Sequence, residues 1–239
     1  MTASITSTYD LKFDALFTRG SKEVLAGTHH RDGALVDGGR WGISVVLRPD
    51  PATAARLAEV AAEAQAVAGT DHWLTGSVAT SHVTVLPLEP YRHHVPDDDP
   101  QVARYTAGLP AAAARSQPVR LRFGGLTLSP VGILACAYPV DDAADMLATN
   151  LKDSIGRNRF SDRDIWYATV LHFAGPIERP QALIDWVAAR RTLALGQTRI
   201  DEVDLVGWRS AGSLPQPVPL VSVPLARAPQ ANPSGDPAG

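Results

Sequence analysis

Ser81-His82-Val83-Thr84-Val85 is the stretch on which the reading of this chain turns. Along a β-strand successive side chains alternate faces, so His82 and Thr84 stand on one side and Val83 and Val85 on the other. A titratable imidazole and a hydroxyl then share one wall backed by apolar residues. Such a pair is a small catalytic or phosphate-binding unit if the rest of the chain supplies a facing wall.

Working outward, order begins at Trp41 to Arg48, a β-branched run that reads as a strand. Asp50-Pro51 gives an N-cap with proline at the first helical position. Ala54, Leu57, Val60, Ala61, Ala64 and Val67 then recur at helical spacing until Gly69. The strand carrying His82 follows, then a proline-broken loop, a helix from about Pro100 to Leu109, and a strand at Pro118 to Phe123. The same order then returns. Gly132 to Tyr138 is a strand, Asp141 caps a helix, and Ile165 to Phe173 is the next strand. Pro180 opens another helix, and strands at Arg199 to Trp208 and Val218 to Val223 complete the series. Each half thus reads strand, helix, strand, helix, strand, over about 41–128 and 131–224. Where the first half has His82-Val83-Thr84, the second has Tyr167-Ala168-Thr169. Two such strands facing each other across a groove would provide the missing wall.

Residues 1–39 read as an extension with one weakly periodic segment at Tyr9 to Leu16, followed by a loop in which His29 and His30 are expected to be exposed. Residues 227–239 read as a disordered tail by composition. The folded part, 40–226, is expected to be a single bilobal domain.

Composition narrows the classes of function. The formal net charge is −3, so no overall electrostatic attraction favours long nucleic acid. The single cysteine, Cys136, rules out an internal disulfide and a thiolate metal cage, and its apolar neighbours mark it as a core residue. No apolar run approaches the roughly 18 residues needed to span a bilayer, and no signal peptide is evident. The expected location is the cytoplasm, with no membrane partner.

On these residues the chain resembles the 2H phosphoesterase superfamily, which includes 2′-5′ RNA ligase-like proteins and cyclic phosphodiesterases. The resemblance covers about residues 40 to 225. It implies an α+β bilobal fold, two pseudo-symmetric β-α-β-α-β lobes with facing sheets around a central groove, and two His-x-Thr motifs, one per lobe. His82-Val83-Thr84 is a full first motif, and Tyr167-Ala168-Thr169 is a second one in which tyrosine replaces histidine. The implied activity is metal-independent acid–base chemistry on a cyclic phosphate or phosphodiester of a nucleotide or RNA end. One histidine acts as base, the other as acid, and the threonine hydroxyls hold phosphoryl oxygens. Imidazole suits both tasks because its unperturbed pKa is about 6.5, whereas a phenol, near 10, donates well and accepts poorly.

The expected catalytic set is therefore His82, Thr84, Tyr167, Thr169 and His172. His82 would be the base, and Tyr167 or His172 the acid. Many relatives carry a phosphate-reaching arginine at the position of His172. Plain alternation turns His172 away from Tyr167's face, so it reaches the groove only across a β-bulge. Arg157, Arg159 and Arg163 are expected to bind the substrate phosphate. No cofactor and no metal are expected, since adjacent histidines such as His93 and His94 rarely converge on one ion. A groove that binds nucleotide without turnover, or that serves another small metabolite, is the alternative. Trp41, Trp73 and Trp166 are further candidates to stack a base, with core packing favoured for Trp166.

Overall fold

The computed structural model describes residues 2–156, 164–211 and 214–226. The expected helices and strands are present, except that Arg199 to Trp208, expected as one strand, divides after Ile200 into two that lie far apart in the single curled sheet. In chain order they are α1 (Thr2–Leu25), β1 (Ser44–Leu47), α2 (Pro51–Ala68), β2 (Trp73–Leu74), β3 (Val83–Pro87), α3 (Pro100–Ala113) and β4 (Val119–Ser129). The second half continues with β5 (Gly132–Pro139), α4 (Ala143–Ile155), β6 (Trp166–His172), α5 (Pro180–Ala188), β7 (Ala194–Ile200), β8 (Glu202–Ala211) and β9 (Leu214–Pro224). The class is α+β, and every strand pairing is antiparallel.

Local chemistry accounts for the element ends. Asp50 Oδ1 accepts from Ala52 N at 2.9 Å and Thr53 N at 3.0 Å, and Pro51 opens α2. Leu57, Val60, Ala61 and Ala64 of α2 face the core. In β9, Pro215, Pro217 and Pro219 fall on alternate residues of a strand that, among the described residues, pairs only with β8. An edge strand tolerates prolines because its outward amides have no ladder partner to lose.

The sheet runs β7-β4-β5-β6-β3-β1-β8-β9, with β2 beside β6. Its halves are not the sequence halves. β4, from the first half, lies between β5 and β7; β8, from the second, lies beside β1. The two motif strands meet at the centre, where Val83 pairs with Ala168. The two walls expected to face each other are thus neighbours in one sheet, and its curl forms the groove.

The leading segment is part of this packing. In α1, Phe13 is 1% exposed and Val24 is buried, and the carbonyl of Phe13 accepts from Thr127 Oγ1 at 2.8 Å. Gly20 lets the helix lie against β4: a Cβ there would sit 2.5 Å from the Leu128 carbonyl oxygen. No helix among the described residues is long and apolar enough to cross a membrane.

Candidate active site

Continuing the Val83–Ala168 register one step each way sets His82 opposite Thr169 and Thr84 opposite Tyr167. Val83 and Ala168 are buried beneath, while His82, Thr84, Tyr167 and Thr169 are half-buried on the other face. All four line one cavity of about 460 Å³.

His172 lines it too. Leu134 pairs with Thr169 and Ile133 with Leu171, so Val170 is an extra residue in β6 and the alternation resets after it. The first motif has the same device: Val45 pairs with Leu86 and Val46 with Thr84, leaving Val85 as the extra residue of β3. Both bulged valines are buried. Beyond its bulge each strand presents one more residue to the cavity, Pro87 in β3 and His172 in β6.

Each imidazole has its Nδ1 beside a protein oxygen. His82 Nδ1 lies 2.7 Å from the Thr80 carbonyl oxygen, which can only accept. Nδ1 therefore carries a proton, and in the neutral ring Nε2 is the acceptor. His172 Nδ1 lies 3.2 Å from Asp32 Oδ2, and both residues are buried, at 6% and 5% exposure. Burial pushes the His172 imidazole below its usual range; Asp32 opposes that shift and Arg40 adds to it. Burial pushes Asp32 upward, but the contact with His172 and the nearby Arg40 outweigh it and hold the carboxyl below the usual range.

Asp32 and Arg40 come from the loop between α1 and β1. The Asp32 amide donates to the Phe173 carbonyl at 2.7 Å, which ties that loop to the end of β6. Arg40 Nη1 stands 3.4 Å from Asp32 Oδ2, and His30 Nε2 stands 3.1 Å from Oδ1. Next to Arg40, Trp41 has a φ of 73°, the left-handed region that a bulky residue rarely occupies. Its neighbour Gly42 has no room for a side chain, since a Cβ would lie 1.8 Å from the Glu89 carbonyl oxygen. The Trp41 ring meets His172 edge-on at 4.6 Å and Trp208 at 4.9 Å, and Trp208 lies 5.1 Å from His82. The two indoles thus form an aromatic wall running from one histidine to the other.

The cavity brings together all five residues expected as catalytic, His82, Thr84, Tyr167, Thr169 and His172. Arg157, Arg159 and Arg163 lie outside the described residues. Asp32, Arg40 and Trp208 carry no signal in the sequence that marks them for the site, whereas Trp41 is among its candidates. Trp73 contacts Trp41 at 5.6 Å, and Trp166 is buried with its indole N–H on Asp145 Oδ1 at 3.1 Å. His29, expected to be exposed, is buried against Phe173, with Nε2 3.1 Å from the Gly175 carbonyl. Cys136 is buried, and burial pushes its thiol up to about 12. Among the described residues no three His, Cys, Asp or Glu side chains cluster as a metal site would require.

No family model matches the chain, and no curated protein matches it. Solved structures do. TT0787 of Thermus thermophilus is 15% identical with a TM-score of 0.57, over 77% of this chain and 97% of that one. Escherichia coli LigT complexed with 3′-AMP is 11% identical with a TM-score of 0.54, over 78% and 98%. A conserved protein of unknown function from Agrobacterium tumefaciens is 16% identical with a TM-score of 0.54, over 77% and 91%. At these identities the likeness is one of fold.

Proposed function

We propose, for a chain that has the 2H phosphoesterase fold, that the cavity hydrolyses a cyclic phosphate or phosphodiester of a nucleotide or RNA end. The observation that carries this reading is the His82 tautomer. With Nδ1 committed to the Thr80 carbonyl, Nε2 is a proton acceptor in the same cavity as Thr84, Tyr167 and Thr169. In the reaction His82 takes a proton from the nucleophile as it attacks phosphorus. The hydroxyls of Thr84 and Thr169 hold the non-bridging oxygens, and Arg40 supplies positive charge at the rim.

The leaving oxygen needs a proton from the opposite side of phosphorus. Tyr167 precedes Ala168 of β6 as His82 precedes Val83 of β3, and Val83 and Ala168 pair. His172 lies beyond Thr169, on the His82 side of that pair. This favours the Tyr167 phenol as donor and gives the site a fixed direction, with the base on one strand and the acid on the other. No metal or cofactor is needed in this scheme. That LigT was crystallised with 3′-AMP suits a small nucleotide as ligand.

The test is incubation of the purified protein with nucleoside 2′,3′-cyclic phosphates, with phosphomonoester product resolved by chromatography. Product is expected from the native chain and not from His82→Ala. Saturable binding with no product from either protein would leave a binding module in place of an enzyme.

A further inference from the structure

We infer that a second cavity, on the same face of the sheet and beside α1, binds a small sugar phosphate, with Arg122, Thr192 and Gln197 on its phosphate and Asp10 on a hydroxyl. This goes beyond the reading of the first cavity and stands without it.

The register fixes where this cavity lies. Cys136 pairs with Tyr167 and shares its face, and Tyr138 is the next residue of β5 on that face. Tyr138, Arg122 and Gln197 then stand in a row across β5, β4 and β7. The cavity that these three line measures about 480 Å³, and among the described residues none lines both cavities. α1 packs beside it, with Phe13 edge-on to the Tyr138 ring at 5.6 Å.

One cation is held ready there. β4 carries Gly124-Gly125 in mid-strand, where its ladders break on both sides. Toward β5, Phe123 pairs with Ala137 but Leu126 with Ala135; toward β7, Phe123 pairs with Gly196 but Gly124 with Ala194. Glycine at a bulge marks a place where another group approaches the backbone closely. That group is the Arg122 guanidinium, whose Nη1 lies 2.5 Å from where a Gly124 Cβ would stand. Its Cζ lies over the Tyr138 ring, 4.4 Å from the centroid. Arg122 has no carboxylate partner among the described residues. Arg191, also in the cavity wall, is committed to Asp14 and to the Leu126 carbonyl.

The other walls select the ligand. Thr192, just before β7, and Gln197, within it, make no side-chain hydrogen bond among the described residues. With Arg122 they are donors from separate positions, which suit the divergent oxygens of a phosphate better than the coplanar pair of a carboxylate. Asp10 Oδ1 accepts from the Tyr138 hydroxyl at 2.8 Å, which leaves Oδ2 for a donor on the ligand. A bare anion would meet only the charge of Asp10, whereas a sugar phosphate turns a hydroxyl to it.

Amide and indole spectra of the isotope-labelled full chain separate the two cavities. Ribose 5-phosphate is expected to shift the Gly124 and Gln197 amides and to saturate them at a lower concentration than inorganic phosphate does. Acetate at the same concentrations should leave them in place. Arg122→Gln should raise the Kd read from the Gln197 amide about 10- to 100-fold, as loss of a charged hydrogen bond does. Gly124→Ala keeps the guanidinium but fills the space it occupies, and should weaken binding by a smaller factor. The Trp41 and Trp208 indole signals, which report the first cavity, should respond to neither substitution. Shifts confined to those indoles, or a Gln197 response as strong in Arg122→Gln as in the native chain, would overturn this inference and leave the proposed hydrolysis untouched. Acetate binding as tightly as ribose 5-phosphate would overturn the assignment to a phosphate.

Discussion

The strands β3 and β6 are near-copies in backbone and unlike in chemistry. Each puts a polar residue and a threonine on the cavity face, buries a bulged valine, and then presents one further residue inward. At β3 those residues are His82, just before the strand, and Thr84 and Pro87 within it; in β6 they are Tyr167, Thr169 and His172. The copies agree at the threonines and differ at the positions to which the proposed reaction assigns proton transfer. In the proposed reaction, repetition builds the phosphate site and departure from repetition gives the chemistry a direction.

The most damaging way to break this contrast is at its acceptor. His82→Ala should lower kcat/KM by about 10²- to 10⁴-fold, the usual contribution of a positioned acid–base group. Steady-state kinetics on a cyclic nucleotide measures it. Next comes the donor: Tyr167→Phe should cost about 100-fold, at the lower end of that range. Tyr167→His, which makes the strands match, should retain turnover but add a limb to the pH–rate profile where the new imidazole loses its proton. A Tyr167→Phe enzyme as active as the native one would remove the donor from this contrast. The threonines should show the symmetry that remains. Thr84→Val and Thr169→Val each remove a hydroxyl that would bond a charged oxygen, worth about 1.5–3 kcal/mol. Similar losses are expected from both, and a large inequality would mean that the phosphoryl group sits off the axis between the strands.

The smallest effect is on stability. His172 and His72 are both held below the ordinary histidine range, burial being the first cause in each case. Above about pH 6.5, the unperturbed value, these rings are neutral whether the chain is folded or not. Below that, the unfolded chain takes up protons first, so stability falls with pH until the folded-state values are reached. Urea unfolding at pH 7.5 and 5.5 should show the lower midpoint at pH 5.5, and His172→Phe should reduce the difference.

Much of the scaffold is legible in the sequence because it is periodic. Alternation marks His82 and Thr84, Asp50-Pro51 marks the start of α2, and the repeated order of elements pairs β3 with β6. The third wall is not legible, for a physical reason. Asp32 meets His172 from a loop without hydrophobic period, and nothing local in Arg31-Asp32-Gly33 signals a buried carboxylate. Trp208 reads simply as a strand aromatic until β8 is known to lie beside β1. A bulge is the condition for His172 to turn inward, yet Val170-Leu171-His172 carries no glycine or other sign of one. α1 is longer than its weak apolar pattern suggests, because Gly20 permits close packing on β4 where side-chain periodicity is faint.

The placement of β4 and β8 bears on how such a chain can be divided. Each sequence half lends its partner strands, β2 and β4 one way and β8 with β9 the other, so a cut near residue 130 gives two fragments whose sheets are each missing neighbours. Neither fragment has a complete fold to reach alone, but mixing them restores every pairing. Fusing the halves into one polypeptide frees the motifs from having to match, and a histidine on one strand can then work opposite a tyrosine on the other.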